Sequence, residues 1–168
     1  MTVDDLRTLF DYGWWANGRL FPVVARLTPE EFTRDVTGGH GSIRNTLVHA
    51  MSAEWGWLDR CGGPPRGERL KPDDYPNLAS VTAIWNRVER DMRAFLGGLT
   101  DDDLARPVEY AIGSGPKHIL PMQNLLVHGV VHTGHHRGQV ALLLRTLGFA
   151  PGNIDFLFYA LERESASS

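Results

Sequence analysis

The chain carries three histidines, His128, His132 and His136, spaced four residues apart in the stretch His-Gly-Val-Val-His-Thr-Gly-His-His-Arg-Gly-Gln. Residues four apart on an α-helix lie within about 40° of each other and about 6 Å apart along its axis. The three imidazoles therefore share one helix face. Because imidazole is the commonest protein ligand of zinc and similar ions, the spacing indicates a metal site on a helix.

One ion cannot use all three of these imidazoles. His128 and His136 are about 12 Å apart along the helix, so a site contains either His128 with His132 or His132 with His136. The third ligand must come from another element. The other histidines of the chain are His40, His49, His118 and His135.

Among these four, His49 fits best because it lies in the middle of a predicted helix among apolar residues. His40 lies in a glycine-rich stretch, His118 lies at the approach to a helix, and His135 points about 100° away from His136. One interpretation is that His49, His132 and His136 converge on one ion. The other is that each is an ordinary hydrogen-bonded core histidine.

A site of three imidazoles leaves a fourth position for water or substrate, which is typical of reactive rather than structural metal sites. A thiol or water there has a lowered pKa. His128 lies one turn earlier, where we expect it either to hydrogen-bond a ligand or to act as a general acid or base. Glu54 points about 140° away from His49 and is not an obvious ligand. We expect Arg137 to pair with a carboxylate or carbonyl.

Apolar residues at helical intervals predict four long helices, over residues 3–27, 42–60, 80–96 and 119–147, and a short helix over 154–161. Residues 64–77 read as a long connection, and 105–117 as a hairpin or a loop. Ser42 and Thr28 are predicted N-caps, and Gly148 a C-cap. The pattern predicts an all-α four-helix bundle: one domain over residues 1–164, followed by a frayed tail over 165–168.

Composition excludes several classes of function. The 168 residues include 17 basic and 20 acidic side chains, with no basic block, which argues against nucleic-acid binding. There is no apolar run of about 18 residues and no signal-peptide pattern. The single cysteine, Cys61, rules out an internal disulfide and reads as a passive thiol. We therefore expect a soluble, cytoplasmic protein with no membrane partner. The five tryptophans read mainly as core, although some could line an apolar pocket near a metal.

Several segments together resemble the DinB family, also called DinB/YfiT-like metalloenzymes. They are Tyr-Gly-Trp-Trp-Ala-Asn near the start, Ser-Ile-Arg-Asn-Thr-Leu-Val-His ending at His49, the histidine-rich stretch above, and Leu-Gly-Phe-Ala-Pro near the end. The resemblance covers nearly the whole chain. It implies an up-down-down-up bundle, often a homodimer, that holds a divalent metal, usually nickel or zinc, on His49, His132 and His136.

A three-histidine site is compatible with three functions, of which the resemblance suggests the first. The first is a thiol-dependent S-transferase, since better-understood relatives use bacillithiol or mycothiol as a low-molecular-weight thiol on the metal. The second is a hydrolase with metal-activated water, which needs a general base that no carboxylate clearly provides. The third is a non-catalytic, metal-binding stress-response protein. An open fourth position facing a tryptophan-lined pocket favours an enzyme, and a fourth position filled by protein favours the third function.

Overall fold

The structure is a computed structural model that describes residues 1–36 and 39–166. Its helices and strands, in chain order, are α1 (Val3–Val24), α2 (Pro29–Thr33), α3 (Ile43–Cys61), α4 (Leu78–Gly97), β1 (Pro107–Ala111), β2 (Lys117–Pro121), α5 (Met122–Thr146) and α6 (Phe156–Ala166). Single turns of 3-10 helix lie at Pro72–Asp74 and Asp102–Ala105. The predicted all-α bundle with an additional C-terminal helix is confirmed. α6 is longer than expected and includes Ser165 and Ala166, whereas Ser167 and Ser168 lie outside the described residues.

Local sequence signals set the ends of the helices. The Ser42 side chain accepts a hydrogen bond from the backbone N–H of Asn45 (3.0 Å), as expected of an N-cap. Gly62 ends α3 with a φ of 102°, a conformation in which a side chain would be strained. Thr28 and Glu31 form a reciprocal capping box that starts α2. These ends could be predicted because each depends on residues only a few positions apart.

Among the long helices, two predicted boundaries were wrong by three residues. The fourth long helix was expected to begin at residue 119, but residues 117–121 form β2, which pairs antiparallel with β1. Because Pro121 is the last paired residue of this hairpin, α5 begins only at Met122. The first helix was expected to reach residue 27 but ends at Val24. Pro22 lies in its last turn and contributes no backbone donor there.

The hydrophobic core shows the direction of each long helix. One core cluster combines the C-terminal parts of α1 and α5 with the N-terminal parts of α3 and α4, and a second cluster combines the opposite parts. Thus α1 and α5 run one way, and α3 and α4 run the other. Because α3 and α4 are parallel, the connection over residues 62–77 must return along the bundle. Because α3 and α5 are antiparallel, the first half of α3 lies beside the second half of α5.

α5 has 25 residues and is long enough for a bilayer, which needs about 20. Its sequence is nevertheless interrupted by histidines, Arg137 and Gln139. Over the ranges 1–36 and 39–166, no helix combines the length and the apolarity that a membrane span requires.

Candidate metal centre

The antiparallel packing of α3 and α5 brings His49 opposite His132 and His136. The Nε2 atom of His132 lies 3.4 Å from Nε2 of His49 and 3.3 Å from Nε2 of His136. The His49 and His136 rings are 4.6 Å apart between centroids. Two imidazole nitrogens on a tetrahedral zinc ion, with bonds of about 2.0–2.1 Å, are about 3.4 Å apart. The spacing of the three nitrogens therefore fits a shared divalent ion.

Hydrogen bonding alone cannot satisfy these three nitrogens. Nδ1 of His136 lies 2.7 Å from Oε1 of Gln139. It donates its proton there, so the neutral ring has a bare Nε2. If Nε2 of His132 carries a proton, that proton can bridge to only one of its two neighbours, and if it does not, its lone pair faces the bare Nε2 of His136. A cation at the centre accepts all three lone pairs, which favours a metal site over a set of core histidines.

The electrostatic environment keeps these imidazoles neutral. Burial, together with the neighbouring imidazoles, lowers the pKa of both His49 and His132 to about 4. Burial also lowers the pKa of His136, although its hydrogen bond to Gln139 opposes the shift. Metal binding requires neutral imidazole. The three rings therefore have the required protonation state at neutral pH.

Gln139 holds the His136 ring in place from the side away from the nitrogen cluster. Its amide oxygen accepts the Nδ1 proton of His136, and its amide nitrogen lies 3.1 Å from Nε2 of His135. A hydrogen bond of this kind fixes the tautomer and the orientation of a ligating histidine. By contrast, Nδ1 of His132 is buried without a hydrogen-bond partner. Gln139 follows His136 by three residues, a spacing that places the two side chains next to each other on a helix.

The structure adds His40, which the sequence analysis had set aside. Its ring stacks on that of His49 with centroids 3.8 Å apart and lies 5.0 Å from that of His136. One ligand atom from each of these three residues lies within 4.8 Å of the others. Gly39 and Gly41, with φ values of 59° and 87°, let the chain turn back toward α3. The Gly-His-Gly pattern at residues 39–41 indicates a turn at His40, but hydrophobic periodicity does not show in which direction a loop runs.

His128 lies next to the cluster but does not join it. It is exposed, its ring is 5.3 Å from the His132 ring, and it contacts Trp57 edge to face at 4.7 Å. His118 lies on β2, where it contacts Tyr110. Neither histidine joins the cluster of the three Nε2 atoms. For His128 this agrees with its helical spacing, which places it about 12 Å from His136 along α5.

Glu54 and Arg137 form a separate buried cluster. The two carboxylate oxygens of Glu54 accept hydrogen bonds from the indole N–H groups of Trp14 (3.1 Å) and Trp85 (3.2 Å). Burial raises the pKa of Glu54, while the Trp14 hydrogen bond and the nearby charge of Arg137 oppose this. Gly13 of α1 makes room for the guanidinium, since a side chain there would meet it at 3.3 Å. Glu54 is therefore committed to the core and is not a metal ligand.

A cavity of about 360 Å³ adjoins the histidines on the α3 side. His40 and His49 form part of its wall, together with Ser52, Arg69 and Lys71. No tryptophan is among the described residues that line it, so the alternative of a tryptophan-lined pocket does not apply to this cavity. Trp14, Trp55 and Trp85 are buried in the core instead. Cys61 is also buried, which raises its pKa to about 12 and agrees with an inert thiol.

The model of the family described as "DinB family" matches residues 1–165. The chain belongs to the DinB family. Among curated relatives, the Bacillus subtilis (strain 168) protein called "Protein DinB" is 23% identical over 158 residues, which cover 90% of this chain and 91% of that protein. The "Uncharacterized protein YizA" of the same organism is 24% identical over 152 residues, covering 88% and 91%.

Solved structures agree with the DinB-family fold. A DinB-like protein from Bacillus cereus superimposes with a TM-score of 0.72 at 21% identity, covering 90% of this chain and 97% of that one. A conserved protein from Enterococcus faecalis gives a TM-score of 0.61 at 14% identity, covering 86% and 96%. At these identities the likeness shows the fold alone, so the activity must be argued from the site.

Proposed function

We propose that this chain is a metal-dependent enzyme that activates a low-molecular-weight thiol for transfer, with His49, His132 and His136 as ligands of a Zn²⁺ or Ni²⁺ ion. The observation that carries the proposal is the convergence of three Nε2 atoms at spacings of 3.3 and 3.4 Å. A divalent ion on three imidazoles supplies a further coordination position, where a thiol or a water loses its proton near neutral pH.

The residues around the cluster favour a thiol over water as the nucleophile. Hydrolysis by an activated water needs a general base, and the described lining of the adjacent cavity contains no carboxylate. Glu54 is occupied by two indoles in the core. A thiol that has lost its proton needs no additional base to attack an electrophile. We assign proton transfer at the exposed edge of the site to His128, whose ring lies 5.3 Å from that of His132.

His40 favours a second candidate, a non-catalytic metal-binding protein. Its ligand atom lies within 4.8 Å of those of His49 and His136. If His40 occupies the fourth position, four protein nitrogens enclose the ion, as in structural zinc sites. The two candidates therefore differ in one property, the number of imidazoles bound to the metal.

The first experiment is elemental analysis of the untagged protein beside a variant carrying both His49→Ala and His132→Ala. We expect roughly one divalent ion per chain, lost in the variant. The loaded protein is then assayed for transfer of bacillithiol, mycothiol and cysteine to a soluble electrophile. Full metal occupancy in the double variant contradicts the ligand assignment.

X-ray absorption of the zinc-loaded wild type and of His40→Ala separates the two candidates. Three nitrogen ligands in both proteins, with thiol transfer retained, support the enzyme. Four nitrogen ligands that fall to three in His40→Ala, with no thiol transfer by either protein, support the non-catalytic site. The expected homodimer is a separate prediction, which sedimentation equilibrium tests.

A further inference from the structure

The cavity next to His40 and His49 has the size of a small-molecule site and two walls of different chemistry. Its volume of about 360 Å³ falls in the range of roughly 300–1,000 Å³ that is usual for ligand pockets. One wall is formed by α3 and the two imidazoles. The other comes from the returning connection, which contributes Arg69 and Lys71. A molecule in this cavity would touch the metal centre and two cations together.

The positive charge on this wall is not neutralised within the protein. In the parts of the chain that the structure describes, neither Arg69 nor Lys71 forms an ion pair. Asp73, a nearby acid in the sequence, pairs with Arg44 at 2.8 Å instead. The chain as a whole has a net charge of -3, so this wall is more positive than the protein average. An anion would be attracted here.

A third cation, Arg66, lies behind the cavity, and the nearby carboxylate of Asp59 partly offsets its charge. Arg66 donates to the backbone oxygen of Ser52 (3.0 Å) and to its side-chain oxygen (3.2 Å). Nε of Arg66 is buried without a partner. Burial is the main cause of the lowered pKa of Arg66, His40 and His49, and the charge of Arg69 contributes to each, so Arg69 lies within electrostatic reach of all three. Divalent metal at the histidines adds further positive charge to this region.

We propose that this cavity is an anion subsite, in which Arg69 and Lys71 bind a carboxylate of the substrate while the thiol of the same molecule reaches the histidine cluster. The planar guanidinium of Arg69 suits an oxyanion, and Lys71 adds a mobile point charge. The inference rests on the proposed thiol chemistry and defines its substrate class, a small thiol that carries a negative charge.

The test uses cobalt-substituted protein and three short thiols that differ in charge. They are 3-mercaptopropionate (anionic), 2-mercaptoethanol (neutral) and cysteamine (cationic). Binding of each is followed by thiolate-to-cobalt charge-transfer absorption in wild type, Arg69→Gln, Lys71→Gln and the control Arg90→Gln. Arg90 is exposed on α4 and does not line the cavity, so the control removes the same charge elsewhere.

We expect Arg69→Gln to weaken 3-mercaptopropionate about fivefold, Lys71→Gln about threefold, and Arg90→Gln less than twofold. Neither cavity variant should weaken 2-mercaptoethanol, and cysteamine should bind slightly better. Comparing each thiol between variants cancels the intrinsic differences among the thiols. An equal effect of Arg69→Gln on the anionic and neutral thiols overturns the subsite. Because 2-mercaptoethanol reports thiol binding alone, that outcome leaves the proposed function standing.

If no thiol produces the charge-transfer absorption, the proposed thiol chemistry is refuted. A second measurement then tests the anion subsite by itself. Zinc-loaded protein is titrated with propionate and with inorganic phosphate while the Arg69 Nε–H signal is followed by NMR, assigned by its loss in Arg69→Gln. A saturable shift with propionate supports the carboxylate subsite. If phosphate shifts the signal at a lower concentration than propionate does, the carboxylate subsite is overturned, and the ligand group is a phosphate. Absence of any shift overturns the anion subsite.

Discussion

Helices α3 and α5 hold two polar clusters in the bundle, and the two differ in whether their acceptor atoms are satisfied. The donors do not follow this contrast, because Nε and Nη2 of Arg137 in the first cluster are buried without a hydrogen-bond partner. In the first, both oxygens of Glu54 accept an indole hydrogen bond, and the charge of Arg137 lies nearby. Both Glu54 and Arg137 are only 2% exposed. This cluster joins α1, α3, α4 and α5 without needing any bound group at its carboxylate.

In the second cluster, His49, His132 and His136 present Nε2 atoms to one another without enough protons to bridge them. The two clusters are close neighbours. On α3, His49 lies about one and a half helical turns before Glu54, and on α5, His136 and Arg137 are consecutive residues. The difference indicates that a polar cluster whose acceptors are satisfied stabilises the fold, whereas one with converging lone pairs is arranged for a ligand. The following predictions test this contrast.

The largest expected effect is on metal affinity in His132→Ala. Because His132 contacts both other imidazoles, its loss leaves only two ligands and should weaken zinc binding by more than about 100-fold, beyond the 10- to 100-fold typical of losing a supporting hydrogen bond. Competition with a chromophoric chelator measures the affinity. The free energy of unfolding of the metal-free protein should not fall by more than about 1 kcal/mol. Unchanged zinc affinity would contradict the ligand assignment.

Glu54→Leu should show the opposite pattern, a loss of stability with metal stoichiometry retained. Removing the carboxylate leaves two buried indole N–H groups without an acceptor and Arg137 without its counter-charge, which costs about 2–4 kcal/mol. Urea unfolding of the metal-free protein measures the change.

A matched control is Glu162→Leu, because Glu162 also accepts an indole hydrogen bond, from Trp15 at 2.8 Å, but is 51% exposed. We expect it to cost less than about 1 kcal/mol. Equal losses in the two variants would mean that burial does not distinguish the Glu54 cluster.

Gln139→Leu should weaken zinc binding about tenfold, because His136 loses the acceptor that fixes its tautomer. The same chelator competition detects it. His135→Ala removes the other partner of Gln139 and serves as the control. If His135→Ala weakens zinc as much as Gln139→Leu, the orientation of His136 by Gln139 is not the cause.

The last prediction concerns the pH dependence of stability, whose sign differs between the clusters. His49 and His132 titrate near pH 6.5 when unfolded but at about 4 when folded. The unfolded chain therefore binds more protons, and the metal-free protein loses stability as the pH falls from about 6.5 to 4. The raised pKa of Glu54 acts oppositely: the folded state keeps its proton longer, so that contribution declines as the pH rises above 4.5.

Urea unfolding between pH 4 and 7 in the presence of a chelator measures these slopes. His132→Ala should lose less stability on acidification than wild type, and Glu54→Leu should lose more. Identical pH profiles for the two variants would remove the electrostatic distinction between the clusters.

The sequence by itself was sufficient to predict features that depend on short-range periodicity. The four-residue spacing of His132 and His136 placed both imidazoles on one face of α5. The caps at Ser42 and Thr28 predicted helix starts, and the resemblance of several segments identified the family. The error at the start of α5 is of the expected kind, because Ile119 and Leu120 suit a strand as well as a helix and only pairing with β1 decides between them.

The tertiary structure decided what lies across from each of these faces. His49 lies opposite α5 because α3 and α5 pack antiparallel. Trp14 and Trp85 find their hydrogen-bond acceptor, Glu54, because α1, α3 and α4 meet there. The positions of His40, Arg69 and Lys71 depend on the paths of two loops, one before α3 and one between α3 and α4. Residue patterns encode which face of an element is buried, but the partner of that face depends on contacts between residues far apart in the chain.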